Sequence, residues 1–534
     1  MRSLSLLFLV ASFVVSFAQT PRLVVVISID QCRADYLTRF NDHYLPASQK
    51  GFNYLIANGA HYRDAHFGHV PTATGPGHAV LLSGAPPHLS GIVGNEWYDR
   101  QNKREHYCVD DLTTETVGGR SKPMSPKALQ VTTVGDELKM ATGKRSKVVG
   151  IAYKDRASIL MAGHAADTVV WFDDSTGNWV SSKHYCPDGK LPQWVQALND
   201  EKHIDMFAGR TWKPLLPAEA YKDCRPLGNP EPFTATLPAS PGQPLYKAFA
   251  SSGYGNDYVF LTAMRAVEAE GLGADDTPDI LAINLSTNDY IGHAFGPNSP
   301  QVLDISVRTD RGLSDFLKFL DKKVKGGLKS TLIAITADHG VAPVPEELAQ
   351  SYRGPGKRIA SRLVEEKVET ALDKLIGPAD WVLAYSEPHL YLNFGAIQSP
   401  LFTRESIEQA AADAALEVDG VYFAFTRTQL LNGRAPGWDW SPLVYNAMHP
   451  HRSGDLIVIT APNVYMSSYP TGTGHFTPWA YDTHVPLLLT GPGIKPGRYM
   501  RRVTTLDLAP TLSQLLNIEY PSGNMGKVLT EAVK

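Results

Sequence analysis

Leu23-Val24-Val25-Val26-Ile27-Ser28-Ile29 is an unbroken, largely β-branched run that stops at Asp30. Such a run predicts a strand buried on both faces, as in a parallel sheet covered by helices. Similar short runs recur at Val148–Ala152, Ile280–Leu285 and Thr331–Thr336. Helical patterns accompany them at Ser48–Asn58, Val134–Met140, Asp257–Glu270 and Val302–Val324. Leu456–Thr460 and Pro486–Thr490 read as further strands, and Leu506–Leu516 as a closing helix. Alternation of this kind predicts an α/β fold: a central, mostly parallel sheet with helices on both faces. Residues 166–245, rich in Trp, Pro, Gly and Tyr, and residues 341–452, with a helix over Ile359–Ile376, break the rhythm. They are expected as insertions at the sheet's edge that form a cap.

In open α/β sheets, ligands gather beyond the carboxyl ends of the strands. Here those ends carry Asp30, Lys154, Asn288-Asp289 and Asp338-His339. Asp289-Tyr290-Ile291-Gly292-His293 sets a carboxylate and an imidazole four residues apart, and His475 closes the glycine-rich Thr471-Gly472-Thr473-Gly474 loop. Asp and His suit zinc, and three protein ligands leave a position open for water or substrate. Each piece has a plainer reading: a solvated DxxxH pair, an Asp-His-Gly turn, an idle loop histidine. Against these stands the position of three of the four clusters at the ends of predicted buried strands, where a solvated face is not expected.

Val70-Pro71-Thr72-Ala73-Thr74-Gly75-Pro76-Gly77-His78 leads into the apolar Ala79–Leu82, then Ser83-Gly84. A hydroxyl at such a helix start meets free N–H groups and the positive end of the helix dipole, where phosphate binds readily. The alternative is that Thr72 or Thr74 only caps the helix. Lys154-Asp155-Arg156 offers two cations that point the same way if the backbone is extended. A point charge and a bidentate fork together suit a phosphoryl group, although Asp155 could equally neutralise an ordinary surface cluster. Asn95, in Gly91-Ile92-Val93-Gly94-Asn95, could donate an amide N–H to the same oxygens or be a simple turn residue.

The chain has 534 residues, with a formal net charge of −4, 43% apolar and 19% charged residues, a globular composition without the basic excess of a nucleic-acid binder. Arg2, the apolar Leu4–Val15 and Ser16-Phe17-Ala18 fit a secretory signal cleaved near Ala18, so a periplasmic or secreted protein is expected from residue 19 onward. No later run reaches the length of a membrane span. Cys32, Cys108, Cys186 and Cys224 would allow two disulfides in three pairings. Cys186 with Cys224 is the favoured pair because both lie in a loop-rich segment, and their spacing makes no zinc knuckle.

The order and number of these stretches carry a resemblance. Ile27-Ser28-Ile29-Asp30-Gln31, the Pro71–His78 segment, Gly91–Asn95, Lys154-Asp155-Arg156, Asp289–His293, Asp338-His339-Gly340, and Gly474-His475 followed by Tyr481-Asp482-Thr483-His484-Val485-Pro486 together resemble the alkaline phosphatase superfamily. Within it the chain is similar to exported bacterial alkaline phosphatases that use Lys and Arg in place of a third metal, and the similarity spans essentially the whole mature chain. The resemblance implies an alkaline-phosphatase-like domain over 19–534, with Thr74 as nucleophile and a phosphothreonine intermediate. It implies two Zn2+ per chain, one held by Asp30, Asp338 and His339 and bound to the Thr74 oxygen, the other held by Asp289, His293 and His475. Asn95, Lys154 and Arg156 would hold the phosphoryl oxygens. Phe476 stands where the family usually has glycine after the last histidine, which leaves His484 as a competing ligand.

The chemistry is coherent on its own terms. A threonine hydroxyl needs a base or a metal to become a nucleophile. Two zinc ions about 4 Å apart can stabilise both the attacking and the leaving oxygen, and phosphoryl transfer otherwise depends on positioning and charge. The expected substrates are small phosphate monoesters. The nearest rival is a phosphodiesterase or nucleotide pyrophosphatase on the same scaffold, and the Lys154/Arg156 pair favours the monoester, which presents an extra anionic oxygen. A sulfatase would need a Cys/Ser-x-Pro-x-Arg sequence, which the surroundings of Cys32 do not match. Phosphonate hydrolysis, phosphomutase activity and a non-catalytic exported binding protein are the remaining alternatives.

Overall fold

The run Leu23–Ile29 forms β1, buried at every position and paired in parallel on both sides. The computed structural model describes residues 20–224, 233–350, 354, 356–397 and 400–534, so the expected signal segment 1–18 lies outside the described residues. The central sheet further contains β2 (Ala60–His66), β3 (Val148–Ala152), β4 (Thr168–Asp173), β5 (Asp279–Leu285), β6 (Thr331–Thr336) and β7 (His484–Thr490). Their order is β2-β7-β6-β1-β5-β3-β4 within an 11-stranded sheet. β6, β1, β5, β3 and β4 run parallel, and β7 is antiparallel to both β6 and β2. The sheet is therefore parallel through its middle, where the continuous apolar runs lie, as burial on both faces requires, and takes antiparallel strands toward both edges.

Three helices bring chemistry to the sheet: α1 (Thr74–Ser83), α2 (Asp155–Ala162) and α3 (Thr287–Phe295). All ten residues of α1 are buried, so this helix is enclosed rather than amphipathic. Gly77 makes that enclosure possible, because a Cβ there would stand 2.3 Å from the Asp338 carbonyl oxygen. The flanking helices Gly255–Glu270 and Pro300–Lys323 match the expected patterns, the second opened by a Ser299 side-chain cap and Pro300 in its first turn.

Other expectations need correcting. Ser48–Asn58 is not one helix: it divides into a 3-10 turn at Ala47–Gln49 and a helix at Phe52–Asn58. Lys50 at φ +64° and extended Gly51 separate them, and the buried Asp310 carboxylate takes the Phe52 N–H at 2.6 Å. Within 166–245, β4 and the antiparallel strand Asn178–Ser182 join the central sheet. Within 341–452 and just beyond, Val382–Ser386, His389–Leu392, Val421–Thr426 and Leu456–Thr460 form a separate four-stranded sheet with its own apolar core around Val364, Leu390 and Ile407. The Cys186–Cys224 disulfide is absent, since all four cysteines are free thiols. Cys186 lies beside Ser181 whereas Cys224 lies near Arg39, in different neighbourhoods.

Candidate active site

Sheet register assembles the site before any side chain is considered. Ser28 of β1 pairs with Thr336 of β6 and with Asn284 of β5. Asp30 and Asp338, each two residues further on, therefore leave the sheet side by side, and β5 delivers α3 with Asp289 to the same edge. Gln31, at φ +60°, turns the chain sharply after Asp30. Its backbone N–H donates to Asp338 Oδ1 at 3.0 Å and its side-chain amide to Asp289 Oδ1 at 2.7 Å, so one residue ties two strand ends together. A non-glycine residue held in this conformation stores strain of the kind that clusters at functional sites.

The structure brings the expected ligands into overlapping groups. Asp289, His293 and His475 form one in which the potential ligand atoms lie within 4.8 Å of one another; Asp30, Asp289 and His339 form another, and Asp30, His78 and Asp338 a third. His339 Nε2 is 3.2 Å from Asp338 Oδ2 and 3.8 Å from Asp30 Oδ1, and His293 Nε2 is 3.1 Å from Asp289 Oδ1. His293 Nδ1 meets the Thr473 carbonyl at 2.6 Å, His339 Nδ1 the Gly340 carbonyl at 2.9 Å, and His475 Nδ1 the Thr72 carbonyl at 2.5 Å. A carbonyl only accepts, so Nδ1 carries a proton in each ring and Nε2 is the atom turned toward the carboxylates. That is how metal-ligating histidines are oriented. Asp30 Oδ2, Asp338 Oδ2 and His339 Nε2 are buried without a hydrogen-bond partner. Orphaned buried polar atoms are costly and rare, and three converging ones fit a divalent cation.

Burial pushes Asp30 up to about 7, with Asp338 adding to the shift, and pushes Asp338 up to about 6. Burial opposes ionisation of Asp289 too, but His293 and Lys154 beside it hold its carboxyl well below the usual range. His339 is driven by burial down to about 4, and His475 well below its ordinary value by burial and by His339 and His293. Neutral His339 and His475 are in the state a metal ligand needs. Asp289 raises His293 against the effect of burial, and the crowded Asp30 and Asp338 carboxyls are ones whose charge a cation would compensate.

Neither Thr72 nor Thr74 caps α1; the N-cap is Ala73 and makes no side-chain cap. Thr72 Oγ1 instead donates to the Thr477 carbonyl at 3.0 Å and accepts from the Phe476 N–H at 3.1 Å, which locks the His475 loop. Thr74, in the first turn of α1, places Oγ1 3.4 Å from Lys154 Nζ and 3.5 Å from Arg156 Nη2. The Lys154–Arg156 backbone is not extended throughout: Lys154 is the N-cap of α2 and Arg156 lies in its first turn. Both cations still reach Thr74 because α2 starts beside it. Lys154 Nζ also contacts Asp30 Oδ1 at 3.0 Å and Asp289 Oδ2 at 2.6 Å, and these carboxylates raise its pKa despite complete burial. The Asn95 side-chain oxygen accepts the Gly75 N–H at 2.8 Å, which fixes the side chain at the start of α1 and leaves its Nδ2 group to donate elsewhere. His484 is elsewhere, on β7, grouped with Asp64 and His66.

Three contributors carry no sequence signal of their own role. Gln31 is one. His78 Nδ1 donates to the Thr74 carbonyl at 2.9 Å and its Nε2 accepts from Asn284 Nδ2 at 2.9 Å, steadying the first turn of α1 against β5. Tyr107 is the third: its hydroxyl donates to Asp155 Oδ1 and accepts from Arg156 Nη1 at 2.9 Å, holding the guanidinium toward Thr74.

The chain belongs to the type I phosphodiesterase / nucleotide pyrophosphatase family, which it matches over residues 24–485, within the alkaline phosphatase superfamily. It is 37% identical over 543 residues to alkaline phosphatase PhoV of Synechococcus elongatus, covering 97% of this chain and 94% of that one. A Myroides odoratus protein named calcium-transporting ATPase is 34% identical over 531 residues, covering 97% and 95%. Alkaline phosphatase PafA of Elizabethkingia meningoseptica is 33% identical over 532 residues, covering 96% and 94%. The PafA crystal structure superposes with a TM-score of 0.88 at 32% identity, over 96% of this chain and 99% of that one. Among the described residues no helix is long and apolar enough to cross a membrane.

Proposed function

We propose that the protein is an exported alkaline phosphatase that hydrolyses small phosphate monoesters, with Thr74 as nucleophile and two zinc ions as cofactors. The observation that carries this reading is the convergence of Lys154 Nζ and Arg156 Nη2 on Thr74 Oγ1, within a shell of orphaned Asp and His ligand atoms. The names of PhoV and PafA support it. Asp30, Asp338 and His339 would hold one zinc ion and Asp289, His293 and His475 the other, supplying Lewis acidity that makes the hydroxyl nucleophilic and neutralises charge on the leaving oxygen.

The chain's own residues then do the following. Asn95, Lys154 and Arg156, the last held by Tyr107, grip the non-bridging oxygens and set phosphorus in line with Thr74 Oγ1. The Thr74 oxygen forms a bond to phosphorus as the bond to the alcohol oxygen breaks, giving phosphothreonine, and water then releases phosphate and restores the hydroxyl. The helix dipole of α1 adds favourable potential at the anion. A diester lacks one of the anionic oxygens that Lys154 and Arg156 can satisfy, so the monoester is favoured over the diester reading that the family name also carries.

Steady-state hydrolysis of p-nitrophenyl phosphate against methyl p-nitrophenyl phosphate, with metal content measured on the same sample, tests the proposal. The expected result is a clear monoester preference with two zinc ions per chain. A higher kcat/KM for the diester overturns it.

A further inference from the structure

A second cavity, of about 830 Å3, opens between the hairpin of strands Glu96–Asp99 and Arg104–Tyr107 and the segments carrying Arg404, Arg427 and Arg452. None of the residues around Thr74 lines it, although the hairpin begins directly after Asn95. Five arginines face this space: Arg100, Arg104, Arg404, Arg427 and Arg452.

Two of them are satisfied by one another's partner. Arg100 Nη2 and Arg404 Nη1 share the fully buried Asp455, at 3.0 and 3.1 Å, and the Leu392 N–H occupies the same carboxylate at 2.8 Å. Asp455 has nothing left to offer. Arg427 and Arg452 make no ion pair among the described residues. Arg452 Nη1 donates to the Gly91 and Ala128 carbonyls at 2.6 and 2.7 Å while its guanidinium lies 5.0 Å from the Trp97 ring. Arg427 Nη2 donates to the Pro450 carbonyl, and its Nη1 is buried with no hydrogen-bond partner at all. Burial and neighbouring Arg100 push the Arg427 pKa down, against the opposing pull of Asp455 and Glu408.

Asp99 acts on Arg452 from a distance, but among the described residues none of the cavity's own carboxylates pairs with Arg427 or Arg452. Asp99 is turned to the Gln101 and Asn102 N–H groups, and Asp111 to Thr113, Ser125 and Lys127. Asp110 Oδ1 is buried without a partner and would accept a hydroxyl or water. Guanidinium forks without carboxylates, in a space of small-molecule size, select tetrahedral oxyanions.

We propose that this cavity binds a small molecule carrying two or more phosphate or sulfate groups, with Arg427 and Arg452 as its principal contacts. The site is independent of the Thr74 chemistry and stands whether or not the monoesterase reading does.

Naphthalene-1,3,6-trisulfonate is a suitable probe, since it has no ester to hydrolyse and binds zinc poorly. Titration calorimetry on the mature chain at low ionic strength, where screening is weakest, should show one saturable site per chain. An Arg427→Gln/Arg452→Gln double variant should bind at least about tenfold more weakly, two charge-assisted contacts being removed. Its p-nitrophenyl phosphate turnover should be unchanged, which also reports that it is folded. If that variant loses turnover, exposed Arg104→Gln takes its place, with about a threefold weakening expected from one peripheral charge. Absence of saturable binding, equal affinity in the folded variant, or binding that only competes with p-nitrophenyl phosphate overturns the proposal.

Discussion

Two groups in this molecule each contain one aspartate and two histidines: Asp289 with His293 and His475, and Asp64 with His66 and His484. By composition they are the same. In the first, both histidines spend Nδ1 on a backbone carbonyl and turn Nε2 toward Asp289. In the second, His66 spends both nitrogens, Nδ1 on Thr483 Oγ1 at 3.0 Å and Nε2 on Asp64 Oδ1 at 2.8 Å, while His484 Nε2 donates to the Arg63 carbonyl at 2.9 Å. The two rings stack 4.6 Å apart, and burial and Arg502 push His66 down to about 4. A cation would have to break hydrogen bonds in the second group and sit near arginine. In the first it would meet two Nε2 atoms that no backbone group holds. What separates a ligand set from a structural cluster is therefore the state of the second nitrogen, which no residue count reveals.

The largest expected effect tests whether chemistry sits beside the prepared group. Thr74→Ala should lower p-nitrophenyl phosphate kcat by on the order of 10⁴-fold or more, the scale of losing a nucleophile, while metal content measured by elemental analysis stays near that of the parent. Thr72→Ala removes two hydrogen bonds of the His475 loop and should cost about 1–3 kcal/mol of stability, read by thermal unfolding, with far milder loss of activity. A dead Thr72→Ala with an active Thr74→Ala would move the nucleophile by two residues.

Next in size is the cation pair. Replacing Lys154 and Arg156 together by Ala removes charge-assisted contacts of about 1.5–3 kcal/mol each, so monoester kcat/KM should fall by roughly two to four orders of magnitude. Diester hydrolysis should suffer much less. Equal losses on both substrates would mean that Lys154 serves mainly to pair Asp30 and Asp289, whose buried carboxylates it now contacts, and the monoester argument would fail.

The comparison itself is broken or kept by its two last histidines. His475→Ala should cost about a hundredfold in kcat/KM, a few kcal/mol of lost charge stabilisation, and one zinc ion per chain. His484→Ala should keep both ions and lower only the melting temperature. The reverse pattern would make the Asp64 group the functional one.

Sequence reading reached the strands that position the site because β-branched runs buried on both faces have no other stable home. It put Asp30, Asp338 and His339 just beyond strand ends, where the structure has them, while Asp289 stands in the helix that follows β5. For Lys154 and Arg156 it offers a common direction only on an extended backbone, a condition that fails where α2 begins, and the two cations meet through the helix start instead. It read Ser48–Asn58 as continuous because the break depends on Asp310, distant in sequence. Residues 341–452 lacked rhythm because their strands belong to a second sheet whose pairing skips through the chain. Tyr107 was invisible for a plainer reason: its partners Asp155 and Arg156 are 48 and 49 residues away, and only the hairpin places it.

Tyr107 gives the smallest and most selective expected effect. Its hydroxyl bridges Asp155 and Arg156, and burial raises its pKa well above the ordinary value, so it stays protonated as a donor to Asp155. Tyr107→Phe keeps the ring and its packing near the Arg156 guanidinium, 5.9 Å from its centroid, and deletes only the bridge. Losing one hydrogen bond to a charged group costs about 1.5 kcal/mol, so monoester kcat/KM should fall about tenfold. A purely structural role would show as lower thermal stability with unchanged substrate preference. A positioning role predicts more. The tenfold loss should fall on the monoester and spare the diester, and it should vanish when Tyr107→Phe is added to Arg156→Ala, because there is then no guanidinium left to hold. Full additivity in that double-mutant cycle would separate Tyr107 from Arg156 and leave the hairpin without a part in phosphoryl binding.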